Sequence, residues 1–459
     1  IPGPNSPVQI GNGAGIFHTI TVSNNNKTCG SIVIGNNSIL DLGITNGHNF
    51  GIYTAGSIPN AGNLKISSAN PVAEFPAGDF GIFLGAAGGN MEYYTTGVVD
   101  FTIPAVSAAP SLSPLISYRN LTVRPAVGQY IEMPNIDLLV RSSLTVIGGA
   151  TTGMVTLNSD APRSLNITQN IVLTSGILRY MNGFAQDLIV GNNITVNSNA
   201  TFDVDVAGVA VNNTLAVSGN LTNNGTLNFN SGSGRVCNLT FKGNGNKSFT
   251  GSNGAATTVL NLLTIDKGNS QTPSLTLDVA GTLTAPSNNW LTLSNGTFLL
   301  AKATTLSLTN AALTSYTIPS TAALSVNNAG AIVNIGMFAD DSNDLFLGGK
   351  LEISAGTVNI GNLINNNNND IEYVAASTPA IILTGGNLNV NGQIRRSTTV
   401  TTGFLSYSQS GSSALLIRGK NQIATRAKFE IVNTSSVFNM SGSSTITIER
   451  GGGTTFSDV

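Results

Sequence analysis

The carboxylates Asp203 and Asp205 have the spacing in this sequence that best suits acid–base catalysis. They lie two positions apart in the segment FDVDV, so in a β-strand both side chains point to the same face, about 7 Å apart. Glycoside hydrolysis needs two carboxyl groups flanking the scissile bond, roughly 5–10 Å apart. The pair is therefore a candidate catalytic site. The alternative is a solvated polar face that alternates with Phe202, Val204 and Val206 in the core.

Three further aspartates form a candidate metal site. Asp340, Asp341 and Asp344 lie close together in the segment ADDSNDL, and carboxylate oxygens are the ligands that Ca²⁺ prefers. Calcium is the one cofactor that the sequence suggests. The segment lacks the central Gly and the distant Glu of an EF-hand loop, so a solvated turn is the alternative.

Three residues are candidates for binding a ligand. Trp290, which follows two Asn residues, would offer a flat ring to a sugar if exposed, and would otherwise pack under a loop. Arg395 and Arg396 are adjacent cations that could bind an anionic sugar through charge-assisted hydrogen bonds. Their alternative is a polar outer strand.

The remaining catalytic residue types are sparse. The chain has two histidines, His18 and His48, and two cysteines, Cys29 and Cys237. We find no Ser/His/Asp arrangement, no Cys/His pair and no zinc-ligand spacing. The cysteines belong to no CxxC pair and lie 208 residues apart, so we predict two unpaired buried thiols. The sequence predicts a protein that is not an enzyme.

The composition indicates what kind of element must carry these residues. Of 459 residues, 9% are charged, the net charge is −2 and 41% are hydrophobic. This charge leaves no basic surface for nucleic acid, and no apolar run is long enough to span a membrane. Val, Ile, Thr, Asn and Gly dominate, which favours extended strands joined by turns.

Repetition is the most informative signal. The segment LIVGNNITVNSNATF, from Leu188, returns as LAVSGNLTNNGTLNF from Leu215, with looser copies elsewhere. In each copy apolar residues alternate, a Gly or Asn interrupts, and the alternation resumes. A period of two residues indicates strands, and Gly and Asn indicate bends that need a positive φ.

Such repeats fit either a string of β-sandwiches or a β-solenoid, in which successive coils stack. No linker-like segment separates the repeats. Asn can form ladders between coils, and a low charge avoids stacking like charges about 4.8 Å apart. We therefore predict an all-β fold, a parallel β-helix that is right-handed by the crossover rule.

At about 20–28 residues per coil, the chain would form roughly 16–23 coils. We expect one continuous solenoid over 1–459, with repeat types that change near 115 and 370, giving sub-units 1–115, 116–370 and 371–459. The inward-facing residues predicted from the alternation are Leu215, Val217, Leu221, Leu227 and Phe229.

Short motifs give a family resemblance. The order MEYYTT from Met91, FTIP from Phe101 and YRNLTV from Tyr118, followed by GNLNVNGQIRR from Gly386 and KFEIVN from Lys428, resembles the large β-strand-repeat proteins of the Bacteroidota cell surface. The resemblance implies a parallel β-helix that is secreted through the type IX route and the outer-membrane machinery. Adhesion is the function usually suggested for this family, whose motifs carry no chemistry.

Three functions follow as hypotheses. The first is a non-catalytic structural or adhesive rod at the cell surface, whose partner is an extracellular polymer such as a polysaccharide. The second is a β-helix polysaccharide lyase or hydrolase. The third is an ice- or crystal-surface binder, based on Thr-rich segments at 398–402 and 445–448. Because the strand pattern persists up to residue 450, we also expect the solenoid to continue beyond Val459 and to associate through its last turns.

Overall fold

The computed structural model describes residues 3–11, 15–54, 62–97, 99–157, 160–181, 183–311, 314–337, 344–362, 368–373, 378–397, 403–421, 423 and 425–449. These residues form 42 strands and one short helix, α1 (Gly81–Leu84). The fold is a β-solenoid of stacked parallel strands with about 14 turns. The predicted fold class is therefore confirmed.

The strands of the first half of the chain are β1 (Pro7–Ile10), β2 (Thr19–Thr21), β3 (Ser31–Ile34), β4 (Ile39–Asp41), β5 (Asn49–Tyr53), β6 (Asn63–Ile66), β7 (Ala77–Asp79), β8 (Asn90–Tyr94), β9 (Phe101–Thr102), β10 (Ser117–Tyr118), β11 (Asn120–Arg124), β12 (Tyr130–Glu132), β13 (Leu138–Val140), β14 (Leu144–Ile147), β15 (Met154–Leu157), β16 (Arg163–Ile167), β17 (Ile171–Tyr180), β18 (Gln186–Val190), β19 (Ile194–Val204), β20 (Val211–Val217), β21 (Leu221–Asn223) and β22 (Thr226–Asn228).

Those of the second half are β23 (Arg235–Phe241), β24 (Lys247–Gly251), β25 (Thr257–Val259), β26 (Leu262–Asp266), β27 (Ser274–Val279), β28 (Thr282–Thr284), β29 (Leu291–Leu300), β30 (Thr305–Ser307), β31 (Tyr316–Ile318), β32 (Ala322–Ile335), β33 (Leu345–Leu347), β34 (Lys350–Ile360), β35 (Ile371–Tyr373), β36 (Ala380–Leu383), β37 (Asn387–Val390), β38 (Ile394–Arg396), β39 (Ser406–Gln409), β40 (Ala414–Ile417), β41 (Val437–Met440) and β42 (Thr445–Ile448).

The chain divides into two compact units. Unit 1 comprises Ile1–Asn238 and Asn253–Val259, and unit 2 comprises Leu239–Ser252 and Leu260–Val459. In unit 1 a typical turn contains three strands, β14, β15 and β16. In the next turn β17 lies on both β14 and β15, and β18 lies on β16, all in parallel register.

Unit 2 is built in the same way. Strand β34 lies parallel to β32 on one side and to β36 and β37 on the other. A separate four-stranded parallel sheet, in the order β31-β33-β35-β38, forms a third face. This third face carries Glu372 and Arg395, whose ion pair is described below.

The length of chain in one turn varies along the solenoid. The register partners Glu372 and Arg395 lie 23 residues apart, whereas the register partners Asn90 and Asn120 lie 30 residues apart. The predicted 16–23 coils exceed the observed number because several turns contain longer corner loops than that prediction allowed.

The core lies inside each turn, and its residues alternate with outward ones. The five residues predicted to face inward are each 0% exposed. Each apolar side chain packs on the equivalent residue of the next turn, as Leu188 does on Leu215. Stacked columns of aliphatic side chains thus bury apolar surface without a separate hydrophobic core.

Glycine permits the sharp bend inside a long strand. Gly176 lies where β17 passes from one face to the next, with φ +79°. A Cβ at this position would lie 2.4 Å from the Gly153 carbonyl oxygen and 2.6 Å from the Cα of Gly148. A larger residue therefore cannot occupy this corner without moving the backbone.

Among the described residues, no helix is long and apolar enough to cross a bilayer.

Candidate functional site

The candidate catalytic pair lies in a cluster of four charges in unit 1, here called the Arg179 cluster. Strands β17 and β19 place Arg179 and Asp203 in direct register. Arg179 donates from Nε to Asp203 Oδ1 at 2.8 Å and from an Nη to Oδ2 at 2.6 Å. Arg235 donates to Asp205 Oδ2 at 3.1 Å and to the Met181 carbonyl at 3.0 Å.

This geometry neutralises both carboxylates. Burial raises the pKa of Asp203, while the hydrogen bonds and charge of Arg179 oppose that rise. The guanidinium of Arg179 thus binds both oxygens of Asp203 in a bidentate ion pair. The cluster joins three successive turns of the solenoid, since Arg179, Asp203 and Arg235 lie one turn apart in that order.

The predicted alternative, a solvated polar face, is wrong in part. Asp203 is only 7% exposed, and Val206, expected in the core, is 65% exposed. Phe202 and Val204 are buried as expected. The alternation fails because β19 ends at Val204, so Val206 lies in a loop rather than in the strand.

Arg395 lies in a second group of charges in unit 2, here called the Arg395 cluster. The guanidinium of Arg395 contacts the carboxylates of Asp370 and Glu372, and Glu372 is its register partner across β35 and β38. The side chains of Arg395 and Asp370 are 1% and 0% exposed. Asp344 joins the cluster, since its Oδ1 accepts the backbone N–H of Asp370 at 2.8 Å.

The Arg395 cluster contains three carboxyl groups for one guanidinium, so its acids are not fully compensated. Burial and then the charge of Asp370 raise the pKa of Asp344 to about 7. Burial also raises the pKa of Asp370 to about 6, although Arg395 opposes the rise. Arg395 is therefore an internal counter-ion, and its burial contradicts the alternative of a polar outer strand. The binding of an anionic sugar by Arg395 stays a prediction.

Arg396 faces away from Arg395 and pairs with the segment that follows β40. Its Nε lies 2.7 Å from Glu430 Oε1, and its side chain is 23% exposed. Arg426 lies on the other oxygen of Glu430, at 3.8 Å. Arg396 thus anchors this segment to β38, and its predicted role toward an external ligand is not tested.

The calcium prediction depends on residues that lie partly outside the described chain. Asp340 and Asp341 are not among the described residues, and Asp344 is buried with an oxygen already hydrogen bonded. Within the described ranges, no group of three or more His, Cys, Asp or Glu side chains is arranged to hold a metal ion.

The indole ring of Trp290 is buried rather than exposed. It is 1% exposed, and its indole Nε1 donates to the Ser307 carbonyl at 2.8 Å. The preceding Asn289 has φ +53°, a left-handed conformation that Asn tolerates. Of the two predicted settings, an exposed platform or a packed side chain, the packed one is observed.

The histidine and cysteine side chains have structural environments. His48 is 2% exposed, and its Nδ1 accepts the Lys27 N–H at 3.2 Å while Nε2 lies 2.9 Å from the Thr45 hydroxyl. Burial lowers the pKa of His48. Cys29 and Cys237 are free and buried, as predicted, and burial raises the pKa of both thiols.

The Asn ladders predicted from composition are present. In unit 1 the side-chain oxygen of Asn170 accepts the N–H of Asn193, and that of Asn193 accepts the N–H of Asn220 at 2.8 Å. In unit 2 the amides of Asn359 and Asn389 donate to Asn334 and Asn359, at 2.9 and 2.8 Å. Each Asn ties one turn to the next.

Sequence reasoning missed Arg179, Arg235, Asp370 and Glu372. The signal that could have revealed two of their contacts is opposite charge at one-turn spacing, 24 residues for Arg179 and Asp203 and 23 for Glu372 and Arg395. Lys65 and Glu92, 27 residues apart, follow the same rule. The irregular turn length hides the rule until the register is known.

The structure describes one of the two Thr-rich segments on which the prediction of ice or crystal binding was based. Residues 398–402 lie outside the described chain, whereas Thr445 and Thr447 are exposed on the last strand, β42.

No protein-family model, curated protein or solved structure matches this chain. The resemblance to Bacteroidota surface proteins therefore stays a prediction.

Proposed function

We propose that this chain is a non-catalytic structural or adhesive protein of the cell surface. The observation that carries the proposal is the use of candidate catalytic and binding side chains as internal contacts. Both oxygens of Asp203 accept from Arg179, Arg395 is buried between two acids, and Trp290 is buried under Ser307. The two arginine contacts join neighbouring turns, and the Trp290 contact spans 17 residues, which is less than one turn of chain; all three stabilise the scaffold.

The chemistry of the Arg179 cluster supports this assignment. A general acid or base must lie within hydrogen-bond reach of a substrate proton, whereas both oxygens of Asp203 already accept hydrogen bonds from Arg179. Asp205, at 16% side-chain exposure, lies 3.1 Å from Arg235. A scaffold does not require free acids or bases, because its function depends on stiffness and on a repeating surface.

The location and partners are proposals from the resemblance. We propose that the protein is secreted through the type IX route, is retained at the cell surface, and contacts an extracellular polymer such as a polysaccharide. A surface with few charges and many Asn and Thr side chains is compatible with neutral glycans, whose hydroxyls pair with amides and hydroxyls.

Polysaccharide cleavage is the direct test against the enzyme alternative. The purified chain is incubated with acidic and neutral polysaccharides, and reducing ends and unsaturated products are measured. Asp203→Asn and Asp205→Asn are compared with Asp278→Asn, which alters an exposed carboxylate on β27. We expect no turnover by any form. Cleavage that is lost in the first two variants and kept in the third would establish a lyase or hydrolase instead.

Retention on polymers tests adhesion. Beads coated with the folded chain are passed over immobilised polysaccharides, with beads coated with heat-unfolded chain as the control. Retention that requires the fold supports an adhesive role. Equal, weak retention of both bead types would restrict the proposal to a structural role.

A further inference from the structure

The third face of unit 2 is interrupted inside the solenoid, between β29 and β31. Residues 291–293 of β29 precede the segment of β29 that pairs with β32, as β31 precedes β32 itself, so they hold the equivalent place one turn earlier. They lie in parallel register on β26, and β31 lies on β33. In the described chain β29 and β31 belong to different sheets and do not pair. The first face is continuous at this step, since residues 297–300 pair with both β27 and β32.

The backbone groups that point into this interruption follow from the pairing on either side. The Tyr316 N–H donates to the Asp344 carbonyl, on the side of β33. The Trp290 carbonyl accepts a hydrogen bond from β26. Backbone groups of successive residues in a strand point to opposite sides. The N–H and C=O of Thr317 on one wall and of Leu291 on the other therefore point into the interruption.

An open slot of about 420 Å³ lies at this interruption, and its lining residues include Asn289, Leu291, Thr292, Leu293, Tyr316 and Thr317. Hydrogen bonds between the two turns close it at both ends. At one end the Asn289 N–H donates to the Leu308 carbonyl at 2.8 Å. At the other the Thr321 hydroxyl donates to the Ser294 carbonyl at 2.9 Å. The volume lies within the range of about 300–1,000 Å³ typical of small-molecule sites, and the closed ends suit a short ligand better than a polypeptide strand.

The lining of the slot is neutral and combines apolar with polar groups. Leu291, Leu293 and Tyr316 are buried, whereas Thr292 and Thr317 are exposed. None of the described residues that line the slot is charged. The Tyr316 hydroxyl is buried and has no hydrogen-bond partner among the described residues. An unpaired buried hydroxyl is costly, so a ligand hydroxyl that reached it would be stabilised.

We propose that this slot binds one sugar unit of a neutral polysaccharide. A sugar ring has apolar C–H faces and hydroxyls at its edge, which match the apolar floor of the slot and the hydroxyl, amide and peptide groups of its walls. The uncharged lining favours a neutral sugar over an acidic one. This inference rests on the proposed contact with a polysaccharide, and it gives that contact a place in the fold.

Saturation-transfer NMR with short oligosaccharides of glucose, mannose, galactose and xylose tests for binding, with galacturonate oligomers as the acidic comparison. Isothermal titration calorimetry then measures Kd, and we expect at least one neutral series to bind. Thr292→Trp and Thr317→Trp place an indole at the slot and are expected to weaken binding roughly tenfold or more. Thr445→Trp is the matched control, since it makes the same change at an exposed position of β42 that does not line the slot. It is expected to bind as the wild type does.

Tyr316→Phe tests the buried hydroxyl. We expect it to weaken binding roughly three- to tenfold, the effect of one hydrogen bond. The stability of the free protein should not fall, because the hydroxyl has no partner to lose there. Hydrogen exchange locates the ligand independently, with protection expected in residues 289–294 and 314–319. Far-UV circular dichroism checks the fold of each variant.

Four results would overturn the proposal. Retention on polysaccharide that Thr292→Trp and Thr317→Trp leave unchanged would refute the slot and leave the adhesive role standing. Absence of both retention and saccharide binding would remove the adhesive role together with the slot. Preferential binding of galacturonate would contradict a neutral ligand. Protection of the same segments by an extended Thr-Val peptide, and by no saccharide, would show that the slot recruits a strand instead.

Discussion

The Arg179 and Arg395 clusters use the same device in two different environments. In both, an Arg on one strand meets its register partner, an acid, on the neighbouring strand. The Arg179 cluster balances two cations with two acids and is partly open, with Arg179 24% exposed. The Arg395 cluster sets three acids against one fully buried cation. A solenoid can thus stack an acid on a base in neighbouring turns, and burial raises the pKa of Asp203, Asp344 and Asp370.

Removal of the arginine should give the largest difference in stability between the two clusters. Arg395→Met would leave Asp370 and Glu372 buried without their counter-ion, and we expect a loss of roughly 3–5 kcal/mol. Arg179→Met should cost less, roughly 1–3 kcal/mol, because water reaches that cluster. Hydrogen exchange of β35 and β38, compared with that of β17 and β19, measures each loss locally.

Arg141→Met changes an exposed arginine and should alter stability by less than about 0.5 kcal/mol. Equal losses from Arg179→Met and Arg395→Met would show that burial does not distinguish the clusters.

The next largest difference between the two clusters should be the pH dependence of stability at the Arg395 cluster. The folded-state pKa values of Asp344 and Asp370 are raised, to about 7 and about 6, so the folded chain holds these protons more tightly than the unfolded chain. Their contribution to stability is therefore greatest below the ordinary carboxyl pKa near 4 and decreases as the pH rises through 6 and 7.

We expect β33 and β35 to exchange amide protons more readily at pH 8 than at pH 5, after correction for intrinsic rates. Asp344→Asn keeps an oxygen for the Asp370 N–H and should flatten this dependence. Exchange that slows toward pH 8 would mean that the ion pairs with Arg395 outweigh burial.

The Asn ladders provide an uncharged reference for both clusters. Asn193→Ala removes the acceptor of the Asn220 N–H, and we expect a loss of about 1 kcal/mol. Asn212→Ala, at an exposed position of β20, should be close to neutral. Urea unfolding monitored by circular dichroism compares the two. A neutral Asn193→Ala would show that water replaces the ladder.

The partly buried pair of Lys65 and Glu92 should show the smallest effect, because Arg124 would remain as a second cation beside Glu92. The two side chains are register partners 3.3 Å apart at 25% and 14% exposure, and Arg124 also contacts Glu92 at 3.0 Å. We expect Lys65→Met to cost less than about 1 kcal/mol, and less again at high salt. Urea unfolding at two salt concentrations measures this. A loss as large as that of Arg179→Met would show that Arg124 does not compensate the charge of Glu92.

Much of the fold follows from local pattern, and little of the site does. Alternation placed Leu215 and Phe229 correctly, because the inward direction within a strand depends only on neighbouring residues. Asn ladders followed from the stacking of like residues. Asp203, Trp290 and Arg395 were misplaced or left open because their exposure depends on residues a full turn away, whose register the irregular corner loops conceal. Val206 was misplaced because the end of β19 is set by its corner.

The register of the solenoid also bears on how the chain acquires its structure. Partners in adjacent turns, such as Asn90 and Asn120 or Glu372 and Arg395, lie close together in the sequence. Each new turn therefore closes a loop of similar, modest length, and the entropic cost of closure changes little from turn to turn. Folding can then begin at whichever turn is locally most stable and spread to its neighbours, with no contact between distant parts of the sequence needed to start. In a chain of 459 residues, the pairing of strands would thus require contacts across only about one turn of chain, 30 residues for Asn90 and Asn120 and 23 for Glu372 and Arg395.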